Sequence, residues 1–391
     1  MKRTWSRRTA AISGATILLI AGAAAPGARR PRYGGTLVVE IGAAVNSTDA
    51  TVPSGDAQEA SAREQIDRLI FDHPSAEGRV ASPGPFRMAE WEPGKRAVLA
   101  ANEQYPGGRP FVDAIEIQMA RTAKDRLIDL ELGRADVAEI PVAEARRAAE
   151  QGVRVSQSQP DELIALVFVD GRPPAANRRM REAVADSIDR DTIVNFILQK
   201  EGEPAGGLLP GWSSGTAFLF PTAPDPARAK ELWSQIPHSP SLALGYDSDD
   251  PLAEAIAERI AVNARDAGIS MTAQSTRNAQ TEGRVDGRIV RLPMTSSAPQ
   301  PALASFLALL HRIAGLDPGG ALPDSAVPQQ IYEQESAVVH GLAVVPIAWV
   351  PHTFGLGPRV RDWTAPGPGQ GWPLADVWLD DTGPEPPKGS S

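Results

Sequence analysis

Cysteine is absent from the 391 residues, and with it go disulfides, thiolate metal ligands, cysteine nucleophiles and any lipidated cysteine that would tether the chain to a membrane. Long apolar runs are missing too: beyond the amino terminus no stretch approaches the roughly 20 residues that span a bilayer. The five histidines, His73, His238, His311, His340 and His352, include no pair three or four residues apart, so no helix face presents two imidazoles to one ion. No metal and no cofactor is expected. Basic residues are outnumbered, 39 Lys and Arg against 48 Asp and Glu, for a formal charge of −9. Such a field repels phosphate backbones and anionic head groups, so nucleic acid is not an expected partner.

What is present begins with a targeting pattern. Lys2, Arg3, Arg7 and Arg8 precede an apolar stretch from Ala10 to Ile20 and the small residues Ala21 to Ala25, the layout of a secretory signal over residues 1–25. The rest of the chain is long enough for two ordinary cores. Its 36 prolines and 35 glycines are spread between periodic segments as punctuation. Thr36 to Ile41 reads as a buried strand, 61–71 as a helix, and 86–101 as a hairpin. Leu163 to Val169 is an unbroken apolar run, the pattern of a strand covered on both faces. Strand 242–246, a helix capped by Asp250 and opened by Pro251, and strand 269–274 make a βαβ unit. Helices over 302–314 and 327–339 lead to an apolar strand at 343–350. The pattern predicts an α/β protein of two discontinuous lobes.

Gly211-Trp212-Ser213-Ser214-Gly215 spells G-x-S-x-G. A nucleophile elbow needs a strand before the serine and a helix after it, and Leu208-Leu209-Pro210 supplies no such strand. No catalytic residue is assigned.

An ordered series of phrases then carries a family resemblance. Tyr33-Gly34-Gly35-Thr36-Leu37 opens it; Gly84-Pro85-Phe86-Arg87 with Trp91-Glu92-Pro93-Gly94 forms a hairpin phrase; Asn102 to Pro110 forms a turn. Leu132 to Val137, Met180 to Arg190, Gly207 to Pro210, Asp225 to Leu232, Pro346 to Phe354 and Ala375 to Leu379 follow in order. Together they resemble the bacterial extracellular solute-binding proteins of family 5, the dipeptide, oligopeptide and nickel-binding components of ABC importers. Two departures stand out. The link between Phe71 and Gly84 is too short for a subdomain that the family carries there, and Met294 to Pro301 lacks the tryptophan and aspartate that peptide binders present at that place. An ammonium in a closed cleft needs a charge partner, so capture of a peptide amino terminus through that contact is not expected.

The resemblance implies a two-lobed, type II periplasmic-binding-protein-like α/β fold with a hinge between lobes and a reduced first lobe. Lobe I is placed at 33–169 plus 345–380, lobe II at 170–344, and 382–391 is read as a disordered tail. It further implies a substrate-binding, non-enzymatic monomer in the periplasm or outside the cell, which captures an oligopeptide or similar solute and docks on ABC permease subunits. The alternative is a degenerate, non-transporting paralogue that serves as an interaction or regulatory scaffold. Candidate ligand contacts are Asp170 and Arg172 after the first crossing, Ser296 and Ser297 in the aligned ligand loop, and Trp349, His352 and Phe354 around the return strand.

Overall fold

Two β-sheets organise the chain in a computed structural model that describes residues 30–49, 51–52, 57–72, 82–215, 221–276, 284–315, 323 and 325–380. The expected signal segment, His73 and the expected tail lie outside the described residues. The first sheet holds β1 (Thr36–Glu40), β2 (Phe86–Glu92), β3 (Arg96–Ala101), β4 (Ala114–Gln118), β5 (Val137–Glu139), β6 (Arg154–Gln157) and β13 (Thr353–Leu356), in the order β2-β3-β4-β1-β5-β13-β6. The second holds β7 (Glu162–Phe168), β8 (Glu203–Pro204), β9 (Leu242–Tyr246), β10 (Met271–Ser275), β11 (Gly287–Pro293) and β12 (Val344–Val350), in the order β8-β12-β7-β11-β9-β10.

Each sheet has its own core, although the chain from Arg32 onward packs as one unit. β7 shows why its sequence is uniformly apolar. Ile164, Leu166 and Phe168 point into one cluster with Met180, Val184, Ile256 and Ile260. Leu163, Ala165 and Val167 point into another with Leu303, Phe306, Leu310 and Val339. A strand with helices on both faces has no solvent side for polar residues. In the first sheet Leu37, Val39, Leu99, Ile115 and Ile117 pack with Trp363, Trp372 and Leu374.

The βαβ unit forms as the sequence predicts. Asp250 Oδ1 accepts the backbone N–H of Leu252 and Ala253 at 3.0 and 3.1 Å, capping helix Pro251–Asp266, and β9 and β10 run parallel. The phrase ending in Asp189-Arg190 also acquires a reason. Asp189 accepts the Thr192 N–H at 2.9 Å, and the buried Arg190 donates through Nε to the Pro346 carbonyl at 2.9 Å. The register of β12 against β7 shifts between Pro346 and Ala348, and such a bulge frees ladder groups that need another partner.

The boundary between the sheets differs from the expectation. Both apolar runs read as crossings, 163–169 and 343–350, lie within the second sheet, where β7 pairs antiparallel with β11 and β12. The backbone passes between sheets at 158–161 and returns at 351–352. The reason is pairing: two adjacent antiparallel strands satisfy each other's ladder and stay in one sheet, so the change of sheet falls in the short segments outside them. The reduced first lobe is visible between helix Ala57–Ile70 and β2. There Phe71–Asp72 pairs with Ser82–Pro83 as a two-residue ribbon.

Candidate functional site

The parallel strands of both sheets end toward the crossing. In the first sheet β1 runs parallel to β4 and β5, and just past β5 the Ile140 N–H bonds the Thr353 carbonyl at 2.9 Å. In the second, β9 runs parallel to β10 and β11, and just past β11 the Met294 N–H bonds the Asp161 carbonyl at 2.8 Å. Open α/β sheets hold ligands outside the carboxyl ends of their strands, and here two such ends meet at one place.

The two crossing segments are tied side by side. Ser158 N–H bonds the His352 carbonyl at 3.0 Å, His352 N–H bonds Ser158 Oγ at 2.9 Å, and His352 Nδ1 lies 2.8 Å from Asp161 Oδ1. Burial works against a charged imidazole, but Asp161, with Glu162 and Glu139 nearby, outweighs it and raises His352 to about 9. His352 is therefore charged at neutral pH. Beside it the buried Glu162 pairs with Arg291, whose Nη1 also stands 3.5 Å from Asp250 Oδ2. Burial opposes the Glu162 charge, yet Arg291 and then His352 hold its carboxyl below the usual range. The result is a chain of alternating charges along the base of the crossing.

Around this base lie a turn and a loop. In the turn Gly211–Ser214, the Trp212 indole N–H donates to the Pro160 carbonyl at 2.9 Å and Ser213 Oγ donates to the Ser297 carbonyl at 3.1 Å. The G-x-S-x-G serine thus links the turn to the loop over residues 294–298, and no strand precedes it as a nucleophile elbow requires. Ser296 Oγ accepts the Ala298 N–H at 3.1 Å, ahead of helix Pro299–Ala314. Two open grooves border the crossing. One of about 480 Å³ lies among Arg146, Glu150, Val155, Gln157 and Glu201, and one of about 230 Å³ among Ser158, Pro160, Lys200, Glu203 and Pro351. Their walls carry both charge signs, and Gln157 Nε2 reaches Glu201 Oε2 at 3.0 Å across them. Among the described residues no His, Asp or Glu cluster is arranged to hold a metal ion.

Of the seven expected contacts, the structure brings His352, Ser296 and Ser297 to the crossing and leaves four elsewhere. Trp349 is 2% exposed and its ring packs 6.1 Å from that of Phe306 in the second core. Phe354 is equally buried and meets Trp363 edge-on at 5.2 Å in the first core. Neither can stack on a ligand, because the faces of both rings are already covered. Asp170 and Arg172 follow the far end of β7, about 20 Å from the crossing at strand rise. Arg172 there bonds Asp286 at 3.0 Å, and Asp286 in turn accepts the Ala243 N–H. These two corrections share one cause, the boundary taken after β7 instead of before it. Missed by sequence reasoning were Ser158, Asp161, Glu162, Trp212, Asp250 and Arg291. A signal existed for Glu162, which opens an otherwise apolar strand.

This pairing of sheets at a double crossing defines a class, and comparison with solved structures bears it out. The chain shares the fold of NikA from Brucella suis in complex with Fe(III)-EDTA, with TM-score 0.65 and 20% identity over 76% of this chain and 68% of that one. It likewise resembles DppA from Helicobacter pylori in complex with the peptide STSA, with TM-score 0.67 and 13% identity over 89% of this chain and 99% of that one. The fold is the α/β, two-lobed type II periplasmic-binding-protein fold with a reduced first lobe. Residues 71–308, more than half of the chain, match the bacterial extracellular solute-binding proteins, family 5 (middle), and the chain belongs to that family. Its members are solute-binding proteins, not enzymes. Among curated relatives, the probable D,D-dipeptide-binding periplasmic protein DdpA of Escherichia coli K12 is 26% identical over 210 residues, 53% of this chain. The chain spans only 41% of the length of that relative. Among the described residues no helix is long and apolar enough to cross a membrane.

Proposed function

We propose that this protein is the substrate-binding component of an ABC importer, a monomer outside the cytoplasm that captures an oligopeptide or similar small organic solute between its lobes. The observation that carries the reading is the convergence of both sets of strand carboxyl ends on one crossing tied by His352 and Asp161. Only two short segments join the lobes, and such a connection permits the hinge closure by which two-lobed binders bury a solute. Relatives support the solute class: DdpA is named for D,D-dipeptides, and AppA of Bacillus subtilis, 24% identical over 123 residues, for oligopeptides. Ser296, Ser297 and His352 remain the proposed contacts from sequence, joined by Trp212 and Arg291. The test is thermal melting of the mature protein with short peptides, amino acids, sugars and Ni²⁺. A solute at a hundred times its dissociation constant should stabilise by about 2.7 kcal/mol.

A second reading, a scaffold that has lost transport, is favoured by one specific feature. Met294 to Pro301 offers neither aromatic nor carboxylate to a solute. Melting unchanged by every solute class would decide for this reading.

A further inference from the structure

Beyond β13 the chain forms a strap over residues 366–371 whose two ends are anchored in the first core. Trp363 and Trp372, 8% and 6% exposed, pack there, and the Ala365 N–H bonds Ser156 Oγ at 3.2 Å. Helix Ala57–Ile70 holds the strap from below. Gln65 donates through Nε2 to the Gln370 carbonyl at 3.2 Å and accepts the Trp372 N–H through Oε1 at 2.9 Å, while Gly371 lies against Arg68. The tip is a closed turn: Gln370 N–H bonds the Gly367 carbonyl at 2.9 Å, and the Gln370 side chain accepts the Gly367 N–H at 3.1 Å. Six residues are thereby fixed to the first sheet.

The tip does not end in solvent. Gly369 sits against the ligand loop of the second sheet, where a Cβ would collide with the Thr295 carbonyl oxygen, fall 2.9 Å from its carbon and lie 3.4 Å from Ser296 Cα. Gly369 also has φ +68°, a conformation that favours glycine. Two independent demands, backbone conformation and contact distance, therefore require glycine at one position. On its other side the ligand loop is held by Ser213, which donates to the Ser297 carbonyl. The loop is thus gripped by its own lobe at Ser297 and touched by the opposite lobe at Thr295.

We infer that residues 366–371 form a latch that bridges the lobes at the ligand loop and holds the cleft closed before any solute arrives. The crossing segments form the hinge side of the cleft. A contact at Thr295 and Ser296 is a separate tie, and opening the cleft must break it. The latch regulates the site assigned under the proposed function and rests on that reading for its significance, though not for its test. Solute entry then requires latch release, and loop 294–298 cannot present its backbone at Thr295 while Gly369 covers it.

The cysteine-free chain allows the experiment to be done directly. The exposed positions Gln104, on the first lobe, and Ala308, on the second, are replaced as Gln104→Cys and Ala308→Cys and labelled for single-molecule energy transfer without solute. Gly369→Val should wedge the lobes apart and populate a low-transfer state that the parent lacks. Gln65→Ala, which unties the strap without touching the contact, should give a smaller change in the same direction, and cooperative melting should persist in both. Unchanged transfer efficiency in both variants overturns the latch. If Gly369→Val does not fold, Gln65→Ala alone decides. The readout contains no solute, so failure of the latch and failure of solute binding in the melting screen are separate results.

Discussion

His352 and Asp161 face each other at 2.8 Å, one on each of the two segments that carry the backbone between sheets. The pair fixes the return segment against the outgoing one at the place where the lobes would pivot. Glu162 and Arg291 continue the charge alternation into the second sheet. An ionised pair at a hinge resists shear between the two segments while leaving their backbone dihedrals free to turn.

The pH dependence of this pair has a definite sign. Folding raises His352 from 6.5 to about 9, so its contribution to stability is complete below pH 6.5 and is lost as pH rises through 9. The melting-temperature difference between wild type and His352→Asn should therefore be largest near pH 6 and shrink by pH 9.5. A constant difference across that range would mean that folding leaves the proton affinity of the imidazole unchanged.

A second titration belongs to a buried carboxyl beside Leu209. Glu335, on helix Pro328–Gly341, is 1% exposed and accepts the Leu209 N–H at 2.8 Å. Burial lifts its carboxyl from 4.5 to about 7, only partly opposed by the Leu209 and Leu208 N–H groups. Its contribution is complete below pH 4.5 and lost as pH rises through 7. Glu335→Gln keeps an acceptor for Leu209 and should be the more stable protein at pH 8, by up to about 3 kcal/mol, with little difference at pH 4.5. Urea unfolding at the two pH values measures this.

Arg190 and the bulge at Pro346 make a structural prediction. Arg190→Met removes the donor that satisfies the Pro346 carbonyl at 2.9 Å and should cost about 1–3 kcal/mol. Urea midpoints report it. Arg190→Lys should recover little, because an ammonium cannot reproduce the planar guanidinium.

The core assignment of Trp349 can be separated from a binding role by the same method. Trp349→Ala should lower stability by about 3–5 kcal/mol through the cavity left against Phe306. Trp349→Phe should cost much less and leave solute-dependent melting shifts unchanged. A Trp349→Phe protein of full stability that no longer responds to a solute would return the ring to the cleft.

Much of the fold was legible because local chemistry reports it. Asp250 caps its helix where the sequence predicts, and the run from Leu163 to Phe168 announced a strand buried on both faces. The site was far less legible. Trp349 and Phe354 look like ligand platforms in a list of residues near a crossing, yet their side chains point from β12 and β13 into the cores of the two sheets. Nothing local reveals which sheet a buried strand joins, since β7 would read the same in either.

The sequence by itself determined the alternation of strands and helices, the caps, the shortened link before Gly84 and the family phrases, because each depends on neighbours within a few residues. Tertiary structure alone decided that β7 and β12 pair with each other, that His352 meets Asp161 across 191 residues, and that Gly369 lies against Thr295. Those contacts are non-local: their formation depends on how two sheets pack, and no residue's own propensity encodes its distant partner.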